Sequence, residues 1–148
     1  MLKRCLVVAA LLGSLIMSGC ASVPMASPER DTSAKAFKVK PDRANIYVYR
    51  NETLGAAIKM PVALNGKLVG DTAANTYMLL EVSPGRHTLV SKTENDSTLV
   101  VNAAAGRNYF VWQEVKMGMW AARSNLQQVD ETTGKAAVQE CKLIEAVH

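Results

Sequence analysis

From residue 41 onward, short apolar runs with a period of two residues alternate with turn residues, and this pattern predicts strands. Ala44–Arg50 has apolar or aromatic side chains on both faces and is expected to be a central strand. The further strands predicted in this way span residues 60–64, 67–71, 76–82, 86–92, 98–102, 108–116 and 126–129, the last at a sheet edge.

Turn residues indicate how neighbouring strands pair. Asn65-Gly66 is the strongest two-residue hairpin signal, because both residue types tolerate positive φ. The turn at residues 83–85 is Ser-Pro-Gly, in which Pro presets φ and Gly supplies the left-handed position. The turn at residues 105–107 is Ala-Gly-Arg. We therefore expect each of these three turns to join a pair of antiparallel strands.

Near the C-terminus the apolar period shifts toward 3.6 residues, which indicates one short helix packed on the sheet. Ala137, Cys141 and Ile144 fall on one helical face with Val138 beside them, and Asp130 is placed to cap the first turn. The predicted fold class is therefore mainly β: a small antiparallel β-sandwich over residues 41–148 with one short C-terminal helix.

The first 19 residues have the anatomy of a secretory signal peptide, with a basic start at residues 1–4 and an apolar run at residues 5–17. A helix over that run would be about 20 Å long, whereas a bilayer core is about 30 Å thick. A retained transmembrane helix is therefore not favoured. Residues 20–40 contain Ser, Pro and mixed charge without a clear period, which predicts a flexible tether between the leader and the sandwich.

Residues 16–20, Ile-Met-Ser-Gly-Cys, resemble the lipobox of bacterial lipoproteins, in which the cysteine thiol is diacylglycerated before cleavage. The resemblance implies that Cys20 becomes a lipid-modified N-terminus, although Met17 stands where that family usually has Leu. In the same family, a residue other than Asp after the cysteine implies delivery to the outer membrane of a Gram-negative host, and Ala21 stands there. We therefore expect a cell-envelope protein anchored by lipid to the outer membrane and facing the periplasm.

The charge of the chain does not predict a nucleic-acid partner. The formal net charge of +4 falls to +2 when Lys3 and Arg4 leave with the leader, and acids interleave with bases along the rest of the chain. Of the cysteines, Cys5 is also lost and Cys20 is the lipid site, which leaves Cys141 as the free thiol of the mature chain. We expect it to be buried, because free Cys behaves as a small hydrophobe.

The first two turns also carry a family resemblance. Residues 62–70 (VALNGKLVG) followed by residues 80–89 (LEVSPGRHTL) are similar to the PEGA-type β-domain, with the order NGK, Gly, PGRH as its core. Nearly the whole chain, lipobox included, resembles bacterial lipoproteins that carry a domain of unknown function. These resemblances imply a small β-sandwich on the envelope, and they transfer no catalytic residue and no cofactor.

Four aromatic residues form the first candidate binding surface. If the residues that alternate with them face the core, Tyr47, Tyr49, Tyr109 and Trp112 line an exposed sheet surface that could bind a glycan or a protein strand. Packing in the core against the C-terminal helix explains the same residues without a ligand, and this is the favoured interpretation.

Residues 117–120, Met-Gly-Met-Trp, are the second candidate, because two thioethers beside an aromatic ring are soft ligands suited to Cu(I). Met117 and Met119 share a face only if the strand continues between them, and His87 or Met60 could complete such a site only if the fold brings them near. The favoured alternative is that Met and Trp fill a gap at the sheet rim. We predict no resident metal or cofactor.

Catalysis is not predicted. His87 and the terminal His148 are the imidazoles of the mature chain, and a lone His at a strand start is more often structural than catalytic. We therefore predict a lipid-anchored, non-catalytic binding or structural module of the cell envelope. Its expected partners are the membrane, through the N-terminal lipid, and an unknown envelope protein or cell-wall component. The alternative is a small envelope lipoprotein that handles Cu(I) through Met117 and Met119.

Overall fold

The computed structural model of this protein describes residues 22–147. In chain order the elements are α1 (Pro28–Ala34), β1 (Ala44–Arg50), β2 (Met60–Leu64), β3 (Lys67–Thr72), β4 (Thr76–Val82), β5 (Gly85–Ser91), β6 (Ser97–Ala103), β7 (Asn108–Met117), β8 (Ala122–Val129), α2 (Glu131–Gln139) and β9 (Lys142–Leu143). The predicted signal peptide, the predicted lipidation residue Cys20 and His148 lie outside the described residues.

The described strands form two sheets that face each other across an apolar core. The order of the larger sheet is β8-β7-β1-β4-β9, and that of the smaller sheet is β3-β2-β5-β6. The mainly β prediction is confirmed, and β1 is the expected central strand. Most neighbouring strands are antiparallel, but β1 runs parallel to β7 and β4 runs parallel to β9.

Successive side chains of β1 point to opposite faces of the larger sheet, and they divide the interior into two apolar layers. Ile46 and Val48 enter the core between the sheets. Tyr47 and Tyr49 point to the opposite face, where α1 and α2 cover the larger sheet. Because both faces are covered, every residue of β1 is buried. The molecule therefore has three layers: two short helices, the larger sheet and the smaller sheet.

The turns pair fewer strands than the sequence predicts. The Asn65-Gly66 hairpin is confirmed, since β2 and β3 pair antiparallel and Gly66 has a φ of 84°. The other two predicted pairings are wrong: β4 and β5 belong to different sheets, and so do β6 and β7. Their turns carry the chain across the core from one sheet to the other. A tight turn reverses the chain, but it does not decide which sheet the next strand joins.

The prediction of a flexible tether over residues 20–40 needs correction from residue 22 onward. The side chain of Ser27 caps α1, and Pro28 occupies the first turn, where its missing N–H leaves no hydrogen bond unmade. Before the helix, Met25 forms an antiparallel bridge with Ile144 at the edge of the larger sheet. These residues are part of the folded unit.

The C-terminal helix is confirmed as α2. The Asp130 carboxylate caps it by accepting a hydrogen bond from the backbone N–H of Thr133 at 2.8 Å. Gly134 permits a close approach to the sheet, because a Cβ atom at this position would overlap the Phe110 side chain. The absence of a side chain at Gly134 therefore sets the distance between α2 and β7.

Two residues predicted on the face of this helix lie just beyond its end at Gln139. Cys141 and Ile144 are both buried, as expected, with exposed fractions of 1% each. Burial raises the pKa of the Cys141 thiol to about 12, so it stays protonated at neutral pH. Within residues 22–147, no helix has the length and apolar character needed to cross a membrane.

Candidate functional site

The four aromatic residues predicted as a binding surface do not form one. Tyr47 and Tyr49 are 0% and 2% exposed, because the helices lie over them. Tyr109 stands beside Ile46 on the neighbouring strand and packs toward the inner core, on the opposite face from Tyr47. Trp112 is half-buried in the outer layer. Both tyrosines pack in the outer apolar layer with residues of α1 and α2, and the Tyr47 hydroxyl bonds to α1, so packing explains these two residues without a ligand.

Asp31 fixes α1 on the larger sheet. Its carboxylate accepts hydrogen bonds from the Tyr77 hydroxyl at 2.7 Å, the Lys35 ammonium at 3.1 Å and the Leu143 backbone N–H at 3.2 Å. Burial acts to raise the pKa of Asp31, but the hydrogen bonds from Tyr77 and Lys35 and the Lys35 charge outweigh it and hold the pKa below 3.8. The helix is therefore held most firmly when this carboxyl group is ionised.

A groove of about 710 Å³ lies between α1 and the outer face of the larger sheet. The buried or half-buried side chains of Tyr47, Leu79 and Leu143 form its floor, and exposed Lys38 and Lys40 stand at its rim. It is the concave surface that the docked helix creates. The sequence did not predict this groove, because its wall belongs to the segment interpreted as a tether.

Several of the polar groups that line the groove are already hydrogen-bonded or ion-paired. Asn45 donates to the Lys38 carbonyl at 3.0 Å, and the Tyr47 hydroxyl donates to a carbonyl of α1 at 2.9 Å. Glu81 forms a salt bridge with Lys40 at 3.1 Å on the rim. Burial raises the pKa of Tyr47 to about 12, so the phenol is no base at neutral pH. The groove is suited to binding by shape and charge, and it offers no group poised for proton transfer.

A buried arginine that the sequence did not single out lies at the end of β1. Arg50 is fully buried and donates to the carbonyls of Ile58 at 2.9 Å, Gly55 at 3.0 Å and Thr72 at 3.4 Å. Burial lowers the pKa of this guanidinium. Its N–H donors hold the loop over residues 51–59 against the sandwich. The guanidinium is therefore bonded to backbone carbonyls and does not face an external anion.

A buried chain of hydroxyl and amide groups joins the two sheets. Thr72 donates to Gln113 at 2.5 Å, Gln113 donates to Ser91 at 2.6 Å, and Ser124 donates to Ser91 at 2.6 Å. The one signal for it in the sequence is Gln113, which stands on the otherwise apolar inward face of β7. Buried polar groups need such partners, and hydroxyls that bond one another without a basic group are not activated nucleophiles.

His87 ties two turns together. Its Nδ1 lies 2.9 Å from the Asn65 amide nitrogen, and its Nε2 lies 2.7 Å from the Ser83 carbonyl, so Nδ1 accepts and Nε2 donates. The Asn65 side chain also accepts from the Thr88 backbone N–H at 2.9 Å. The NGK and PGRH sequences therefore contact each other, and their shared role is to hold two turns of the fold.

The candidate metal ligands lie at the exposed end of β7. This strand ends at Met117, so the two thioethers do not share a strand face. Met117, Met119 and Trp120 are 69%, 81% and 88% exposed, which also excludes the alternative that they fill a gap at the sheet rim. Met60 is fully buried, and both nitrogens of His87 are hydrogen-bonded elsewhere. Among the described residues, no group of three or more His, Cys, Asp or Glu is arranged to hold a metal ion.

Residues 40–125 match the family described as "Protein of unknown function (DUF2846)". The chain belongs to the DUF2846 family. An uncharacterized protein of Haemophilus influenzae (strain ATCC 51907 / DSM 11121 / KW20 / Rd) is 33% identical over 139 residues, which cover 91% of this chain and 82% of the relative. No solved structure matches the chain.

The DUF2846 match covers β1 to β7 and the first part of β8, whereas α1 and α2 lie outside it. The strands of the matched segment supply Tyr47 and Leu79 to the groove floor. The wall of the groove comes from α1. In this DUF2846 protein the groove is therefore built jointly by the family segment and by residues on both sides of it, since Leu143 in the floor follows the segment.

Proposed function

We propose that this DUF2846 protein is a lipid-anchored, non-catalytic binding module of the bacterial cell envelope, at the outer membrane and facing the periplasm. The basic and apolar leader and the lipobox resemblance of residues 16–20 support the anchor, with Cys20 as the lipidated residue. A single acyl chain binds a membrane only marginally, whereas two or three chains hold a protein there stably.

The observation that carries the binding role is the groove between α1 and the larger sheet. A concave surface with an apolar floor and a few fixed polar groups is the usual form of a ligand site. Lys38 and Lys40 beside Glu81 would orient an occupant that has both apolar and charged groups. We propose that the occupant is an extended segment of another envelope protein or a cell-wall component of that chemistry.

The state of the reactive groups supports a non-catalytic role. Nucleophilic catalysis needs a hydroxyl or thiol oriented toward a base. In the part of the chain that the structure describes, the Ser91 and Ser124 hydroxyls bond each other, both nitrogens of His87 serve the turns, and the raised pKa of Cys141 keeps that thiol protonated. Each of these groups is engaged in holding the fold.

A photoactivatable amino acid at Ser33, which is exposed on the groove wall, tests the binding role in living cells. The full-length chain is expected to crosslink to a discrete envelope component. The same amino acid at Arg86, exposed on the other sheet, serves as the control. Adding Leu79→Trp, which fills the groove floor, should remove the product. A product that forms equally from both positions, or that survives Leu79→Trp, would contradict the groove as the binding surface.

A further inference from the structure

The hairpin that joins β7 and β8 continues past the last residue pair between β7 and β1, and we call residues 117–121 the β7–β8 tip. Pairing of β7 with β1 reaches Trp112, which lies beside Tyr49. Pairing of β7 with β8 continues to Met117, beside Ala122. At about 3.3 Å per residue, the hairpin extends about 17 Å beyond the last β1 pair.

The base of the tip is braced from both sides, while its apolar side chains stay in solvent. On one side, the Glu52 carboxylate accepts from the Val115 backbone N–H at 2.8 Å. On the other side, the Glu94 backbone N–H donates to the Ala122 carbonyl at 3.2 Å. Leu54, in the loop that contains Glu52, is also exposed. A supported hairpin thus presents two methionines and a tryptophan outward, which is uncommon on a protein surface without a partner.

The described chain begins at the same end of the sandwich. Ser22 and Val23 line a cavity with Ala73 and Asn75, which form the turn between β3 and β4. In the register of the larger sheet, the start of β4 lies beside Arg50, the last residue of β1. The segment that contains Ser22 runs along the β9 edge, and the tip leaves from the β8 edge. Four strand spacings of about 4.8 Å separate these two edges by about 19 Å across the sheet, and the extension of the hairpin adds to the distance between the chain start and the tip.

We propose that the β7–β8 tip inserts Trp120 and the flanking methionines into the surface of the bilayer to which Cys20 is anchored, an inference that rests on the proposed function. Cys20 is two residues from Ser22, and a chain covers at most about 3.5 Å per residue. The anchor would therefore hold this end of the sandwich within about 7 Å of the membrane surface. Even a weak contact between the tip and the bilayer becomes populated at such a distance, because tethering raises the effective concentration of the tip at the membrane surface.

The chemistry of the tip favours a lipid surface over other occupants. Tryptophan partitions to the headgroup level of a bilayer, where its ring is apolar on one side and its N–H remains hydrated. The nearby charges are paired, Arg123 with Glu94 at 3.4 Å and Lys116 with Glu114 at 3.6 Å. The contact is therefore apolar and should respond little to salt, unlike binding through a basic cluster.

Single-tryptophan variants of the full-length chain test this contact, since the chain has two tryptophans. The protein is purified from bacterial membranes and reconstituted into phosphatidylethanolamine–phosphatidylglycerol vesicles with brominated acyl chains as quenchers. In Trp112→Phe, emission from Trp120 is expected to fall by about half relative to unbrominated vesicles, and equally at high salt. The matched control is Trp120→Phe, in which half-buried Trp112 should keep its emission.

The mass of the reconstituted chain separates failure of this proposal from failure of the anchor. Lipid on Cys20 without quenching of Trp120 would overturn the tip contact and leave the anchor intact. A chain without lipid would overturn both. Quenching of Trp112 to the same extent would indicate unfolding on the membrane and would also overturn the contact. A photoactivatable residue at position 120 that crosslinks to a discrete protein in cells would assign the tip to a protein partner and refute the lipid assignment.

Discussion

At the scale of single residues, the Asp31 carboxylate joins α1 to the larger sheet through Tyr77 and Leu143. The pKa of Asp31 lies below 3.8 in the folded chain. Its contribution to stability is therefore complete at neutral pH, begins to fall near pH 3.8, and is lost as the pH drops through the lowered folded-state pKa.

Because the ionised form of Asp31 stabilises the fold, we make a prediction for Asp31→Asn. At pH 7 the variant should lose about 1 kcal/mol of unfolding free energy, because the charge-assisted hydrogen bonds weaken. The loss should shrink at acidic pH, where the native carboxyl group is protonated as well. Urea unfolding of the leader-free chain at both pH values measures it, with Glu29→Gln in the same helix as the control. A loss of equal size at both pH values would argue against an ionised clamp.

The exposed thioethers give a second prediction at this scale. Met117→Leu/Met119→Leu preserves side-chain volume and removes only the sulfur ligands. Because the strand ends between the two positions, we expect the native and double-variant chains to bind Cu(I) equally under reducing conditions with a competing chelator. One equivalent retained by the native chain and released by the variant would replace the proposed function with copper handling.

At the scale of elements, the sequence predicts strands better than their partners. The alternation of apolar residues located all but the shortest strand, and the Asp130 cap marked the start of α2. Local turn chemistry could not reveal that two of the turns cross between sheets, because that choice depends on long-range packing. The apolar pattern does not predict α1, because its polar sequence has no apolar period, although Ser27-Pro28 followed by acidic residues is a helix-start signal.

The close contact between α2 and β7 gives the prediction for this scale. In an exposed helix, Gly→Ala stabilises by up to about 1 kcal/mol. Gly134→Ala should instead destabilise by about 1 to 3 kcal/mol, because the added methyl group overlaps Phe110 and must push the helix away. Thr132→Ala, at an exposed position of the same helix, provides the comparison in thermal unfolding. A Gly134→Ala chain that melts above the native one would show that α2 packs less closely than described.

In the whole molecule, the chain start next to the proposed anchor and the β7–β8 tip lie at one end of the sandwich, and the groove rim at Glu81 lies at the other. An anchor at Cys20 would therefore leave the groove open to partners away from the membrane. Sequence patterns alone could not place these features, because the position of each depends on α1 and the N-terminal segment docking on the sheet.

The proposed function depends on lipid at Cys20, and palmitate labelling measures that modification. Cells that express the full-length chain are grown with labelled palmitate, beside cells that express Cys20→Ala and, as a matched control, Cys5→Ala within the leader. Label and a processed mass are expected for the native chain and for Cys5→Ala, and neither is expected for Cys20→Ala. Palmitate that persists in the Cys20→Ala chain, or a native chain that stays unlabelled and unprocessed, would refute lipidation at Cys20.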